Sequence, residues 1–98
     1  MPRGPQPFLL DFRVLRFILY SRSYCHLCED MRAALAGLQL TMPYALDVVD
    51  VDADPDLVAR YDELVPVLVG MKTNGEVMQL CHYFLDEAAV RAFAEAAQ

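Results

Sequence analysis

Hydrophobic positions alternate from Phe12 to Tyr20: Val14, Ile18 and Tyr20 fall on one side, Leu15, Phe17 and Leu19 on the other. Period two with apolar residues on both sides predicts a central strand covered on both faces, with Arg13 and Arg16 near its solvated start. The period then changes. Leu27, Met31, Ala34, Leu35 and Leu38 recur at helical spacing, so a helix is expected to begin at Cys25 and lay that stripe on the sheet. Glu29 and Asp30 lie in its first turn, where negative charge suits the helix dipole, and Gly37 weakens its end. Tyr44 to Val51 reads as a second strand, apolar on both faces but interrupted by Asp47 and Asp50, which suits a sheet edge.

Asp54-Pro55 supplies a cap and a first helical position for a short helix through Tyr61. Val65 to Met71 and Val77 to Cys81 read as third and fourth strands, with Asn74-Gly75 between them as a hairpin signal. Asp86 caps a last helix, Glu87 to Ala96, which buries Ala89, Val90, Phe93 and Ala94. The order is β-α-β-α-β-β-α, an α/β chain. The three prolines and the glycine of Met1 to Pro7 predict a flexible leader, placed at residues 1–11, before one domain at 12–98.

Composition narrows the function classes. Fourteen acidic against eight basic residues give a formal charge of −6, which argues against nucleic acid and anionic membranes as partners. Asp11, Arg13 and Arg16 break the longest apolar stretch, Phe8 to Tyr20, so neither a membrane span nor an export signal is expected. Three cysteines, two of them closely spaced, do not make a secreted disulfide framework, and a cytoplasmic location is expected. Seven acids crowd between Asp47 and Glu63, but without the glycine of a calcium loop they read as a solvated face.

The chemistry-bearing feature is Cys25-His26-Leu27-Cys28, set between a central strand and a helix. Cysteines three apart at a helix start can close a small disulfide ring. The unpaired N–H groups of the helix end favour an anion, so a thiolate at Cys25 forms more readily than in a free cysteine. Thiolate is the attacking species in disulfide exchange, and Cys28 would then release the mixed disulfide. His26 and Arg22 add positive charge when they face the sulfur, whereas Glu29 and Asp30 oppose it. The rival for these cysteines is a metal or iron–sulfur carrier that adds Cys81, His82 or a second subunit; another is a redox-silent module that only binds partners. Cys81 otherwise reads as a small apolar filler, and His82 and Tyr83 as surface packing or, alternatively, as lining of a cleft near the cysteine pair. Pro66 opens the third strand, where its missing N–H is harmless; alternatively a cis bond sets the Val65 backbone beside Cys25 for an extended substrate.

Together, the run Tyr20 to Cys28 (YSRSYCHLC), Val65-Pro66-Val67-Leu68 and the element order resemble the thioredoxin superfamily, and within it the small bacterial glutaredoxin-like proteins. The resemblance covers Phe12 to Ala96. It implies a thioredoxin-like fold with a four-stranded mixed sheet flanked by helices, the second strand at the edge beside the first, then antiparallel third and fourth. It implies a thiol–disulfide oxidoreductase, with Cys25 as nucleophile, Cys28 as resolving cysteine and Pro66 as a cis-proline facing the pair. Val65, Pro66, Tyr24 and His26 are then the candidate substrate-binding residues. The implied partners are a disulfide-containing protein or small thiol and a cellular reductant. No metal or resident cofactor is expected. Glutathione is a candidate reductant, although the glycine pair that glutathione-using relatives carry before the last helix is missing. Tyr83 and Phe84 stand there, with Asp86 following.

Overall fold

The computed structural model describes residues 14–97. The expected leader, and the expected start of the first strand at Phe12 and Arg13, lie outside the described residues. The elements are β1 (Leu15–Ser21), α1 (His26–Gly37), β2 (Tyr44–Asp50), a single 3-10 turn (Val51–Ala53), α2 (Pro55–Tyr61), β3 (Val67–Met71), β4 (Val77–His82) and α3 (Glu87–Ala96). The sheet order is β2-β1-β3-β4, with β1 and β2 parallel and the other two pairs antiparallel. The order of elements and the edge position of β2 are as expected.

Alternation on β1 divides the core. Leu15, Phe17 and Leu19 pack with Met31 and Leu35 of α1, Leu68 and Cys81 of the sheet, and Val90, Phe93 and Ala94 of α3. Ile18 and Tyr20 face the other side, where Val51, Tyr61, Val67 and Val69 form a smaller cluster under α2. Tyr20 stacks on Tyr61 there, with ring centroids 4.5 Å apart. Gly70 is needed for the larger side to close, because a Cβ on it would lie 2.6 Å from the Phe93 ring.

Several boundaries shift for local reasons. Val51 was expected at the end of β2 but lies, fully buried, in the 3-10 turn that Asp50 caps. The third strand was expected from Val65, yet its ladder begins at Val67: Pro66 has no N–H, and that of Val65 donates to the Tyr61 carbonyl at 3.1 Å. The fourth strand gains His82, which pairs with Val67. On α1 the buried line is Cys28, Met31 and Leu35, while Ala34 is exposed and Leu27 and Leu38 are half-buried. The expected stripe is corrected by a rotation that turns Cys28 inward. In the hairpin, Gly75 N–H donates to Lys72 O and Gly75 takes φ +92°, a left-handed position suited to glycine.

Candidate active site

Three connections meet at one end of the sheet. β1 ends at Ser21, paired with Asp50 of β2; Tyr20 pairs with Val67 of β3; and Val67 pairs with His82 of β4. The Cys25 turn, the Val65-Pro66 segment and the His82-Tyr83 segment therefore leave the sheet together. The Val65–Pro66 bond is cis, as the resemblance implied.

Cys25 is the N-cap of α1. Its backbone is extended, and its Sγ accepts from the Cys28 N–H at 3.1 Å. Cys25 and Cys28 form a disulfide, with Cα atoms 5.2 Å apart. The two sulfurs differ in access: Cys25 is half-buried, whereas Cys28 is 3% exposed and joins the inner line of α1. A helix N–H aimed at the accessible sulfur stabilises negative charge there after reduction. A nucleophile at the surface with its partner behind it is the order that exchange followed by resolution requires.

The neighbours fall into place unevenly. Tyr24 projects fully into solvent from a residue at φ +59°. His26 is largely exposed, its Nε2 3.5 Å from Asp30 Oδ2 one turn along α1. Arg22 requires a correction. Its guanidinium is held by Asp52 at 2.9 and 3.3 Å and by Asp62 at 2.9 Å, and these bonds push its pKa further up. It ties the loop after β1 to both ends of the α2 region and is not free to serve Cys25. The Val65 N–H is likewise spent on Tyr61, so an extended substrate could pair only with the Val65 carbonyl.

Within one chain, Cys81 and His82 do not join the cysteine pair as a single ligand set. Cys81 and His82 are adjacent on a strand, so their side chains leave opposite faces: Cys81 is buried in the core and His82 is exposed. Among the described residues no three cysteine, histidine or carboxylate side chains converge as a metal site. Burial pushes the Cys81 thiol pKa up, with the nearby Asp86 charge adding to it, against an Asp86 hydrogen bond that lowers it.

Tyr83 was expected as surface packing, and its role is larger. Its backbone N–H donates to Pro66 O at 2.9 Å and its hydroxyl donates to Glu63 O, so it spans the Glu63–Pro66 segment. It also stacks edge-on with His82, centroids 4.7 Å apart. It does this at φ +64°, a left-handed conformation costing a non-glycine residue of order 1–2 kcal/mol. No sequence rule places tyrosine in that conformation. The two partners of Arg22, 30 and 40 residues distant, were equally illegible.

A model of the glutaredoxin-like domain (DUF836) matches residues 16–95. No curated protein matches the chain. Among solved structures, protein Ne2328 from Nitrosomonas europaea is 33% identical, with 95% of this chain and 98% of that one covered and a TM-score of 0.69. Protein XcR50 from X. campestris is 32% identical over 84% of this chain and 99% of its own, with a TM-score of 0.59. Strand order, disulfide position and family match agree, and the chain belongs to the glutaredoxin-like family, with a thioredoxin-like fold.

Proposed function

We propose that this protein is a thiol–disulfide oxidoreductase working through Cys25 and Cys28. The observation that carries the reading is the asymmetric disulfide at the start of α1: an accessible Cys25 Sγ holding the Cys28 N–H at 3.1 Å, and a buried Cys28 behind it. In the reduced protein the Cys25 thiolate attacks one sulfur of a substrate disulfide, forms a mixed disulfide and releases the first substrate thiolate. Cys28, losing its proton, then attacks Cys25 Sγ. That restores the Cys25–Cys28 bond and releases the second substrate thiolate. Two electrons pass to the substrate, and its two sulfurs end as thiols after taking up two protons. A dithiol reductant reverses both steps.

In this reading Val65, the cis Pro66, Tyr24 and His26 are the substrate-contacting residues, supported by their place on the connections that meet at this end of the sheet. The partners are a disulfide-bearing polypeptide or small disulfide and a thiol reductant of the cytoplasm. Among the described residues no helix is long and apolar enough to cross a membrane.

The test is kinetic. Cys25→Ser is expected to lower the rate of disulfide reduction by about a thousandfold or more, as losing an attacking group does. Cys28→Ser is expected to retain the first step and accumulate the mixed disulfide, visible by mass spectrometry. Exchange that survives in Cys25→Ser under both glutathione and dithiol recycling refutes the reading.

A further inference from the structure

A cleft of about 460 Å³ lies between α1 and the β4–α3 connection. Its walls are apolar: Met31 and Ala34 on α1, Tyr83 and Phe84 opposite. Its rims carry Asp30 on α1 and Glu87 at the start of α3, both more than half exposed. Both walls belong to segments that also carry the redox centre or its neighbours. Asp30 is two residues past Cys28 on the same helix, and Tyr83 is bonded to Pro66. Phe84 is 69% exposed, although a side chain of this kind is ordinarily withdrawn from water.

The charge around this opening is one-sided. Glu29, Asp30, Asp52, Asp62, Glu63 and Glu87 all belong to the segments that meet at this end of the sheet. Arg22 is neutralised twice over by Asp52 and Asp62. Arg91 bridges two residues that line the cleft, with Nε on Glu87 at 2.8 Å and a terminal nitrogen on the Leu38 carbonyl at 3.1 Å. These six acids outnumber the four arginines of the same segments, Arg22, Arg32, Arg60 and Arg91. Glutathione and its disulfide are net anions, so the field repels them.

We propose that the cleft receives a polypeptide substrate in which the disulfide cysteine is flanked by an apolar side chain and a lysine or arginine. The apolar side chain lies between Ala34 and Phe84, and the cation meets Asp30 and Glu87. This deepens the thiol–disulfide reading and rests on it. Like charges facing across an encounter slow it and opposite charges accelerate it, and salt erases both effects within a Debye length of about 10 Å at 0.1 M.

The experiment follows oxidation of the reduced full chain by symmetric disulfides of capped tetrapeptides: Lys-Phe-Cys-Gly, Gln-Phe-Cys-Gly, Glu-Phe-Cys-Gly and Lys-Gly-Cys-Gly, with glutathione disulfide alongside. At about 20 mM salt the Lys-Phe peptide is expected to react about tenfold faster than the Gln-Phe peptide, and the Glu-Phe peptide and glutathione disulfide slower still. At about 0.5 M salt the charge ranking shrinks to about twofold, while the Lys-Phe peptide stays about fivefold ahead of Lys-Gly. Asp30→Asn combined with Glu87→Gln is expected to cut the lysine advantage to about a third or less. Equal low-salt rates for the three phenylalanine peptides, or glutathione disulfide as the fastest oxidant, overturn this proposal and leave the exchange reading standing. Failure of every disulfide, the neutral one included, overturns both.

Discussion

Two helices of this protein begin in the same way and differ in one atom type. At the start of α3, Asp86 Oδ1 accepts from the N–H three residues on, that of Ala89, at 3.1 Å. At the start of α1, Cys25 Sγ accepts from the N–H three residues on, that of Cys28, also at 3.1 Å. Both caps have extended backbone, and both helices carry an acid in the first turn. The carboxylate has no redox state, so on α3 the hydrogen bond only holds the helix. The sulfur is neutral while bonded to Cys28 and charged once reduced and ionised. The same helix field then acts on one redox state more than the other. A capping site becomes a reactive site when the cap can change its charge.

A third sulfur sharpens the contrast. Cys81 lies near Asp86 but is buried in the sheet, so burial leads in raising its thiol pKa; a hydrogen bond from Asp86 opposes the rise and the Asp86 charge adds to it. Proximity to a helix start is not enough; the sulfur must occupy the cap and have solvent access.

The largest effect expected comes from exchanging the two caps. Cys25→Asp abolishes disulfide exchange, as any loss of this sulfur does. Yet it is expected to be about 1 kcal/mol more stable to denaturant than Cys25→Ala, because a permanent anion replaces the switchable one. Equal stability of the two variants would mean that the α1 start does not favour an anion, and the comparison would fail. Of similar size, Asp86→Ala is expected to lower stability by about 1 kcal/mol. Urea titrations of the oxidised and the reduced protein should show the same loss, since this cap has no redox state. A loss confined to one form would break the contrast.

The smallest effect is with pH. Cys81 and Tyr20 both have raised pKa values, burial being the leading cause in each. A raised pKa in the folded state means that unfolding releases protons at alkaline pH. Their contribution is complete below the unfolded values, near 8.5 and 10 respectively, and is lost as pH climbs through the higher folded ones. Thermal stability is therefore expected to fall from about pH 9 upward, and Cys81→Ala should remove the earlier part of that fall. Were the pH profile unchanged in that variant, Cys81 would not be the thiol described here.

What sequence legibility covered, and where it ended, has a physical basis in the range of each interaction. Asp54, Pro55 and Asp86 mark helix starts because a cap acts on N–H groups two or three residues away, and both aspartates do so in the fold. The double-sided alternation of 15–20 foretold a strand covered on both faces, because side-chain direction is set residue by residue. The Cys25–Cys28 pair was readable for the same reason: spacing and helix start are both local. The stripe of α1 was misplaced onto Ala34, since the rotation of a helix on a sheet is settled by what it packs against.

By itself, then, the chain order of residues determined the elements, their caps and the position of the Cys25–Cys28 pair. Only the tertiary structure decided that Arg22 is spent on Asp52 and Asp62, that Tyr83 braces the Glu63–Pro66 segment, and that an acid-rimmed apolar cleft opens between α1 and the β4–α3 connection. The hydrogen bonds among these join residues from about 17 positions apart, Tyr83 and Pro66, to 40, Arg22 and Asp62. Partners at such distances are chosen by which strand ends the sheet brings together, and no local rule along the chain encodes that choice.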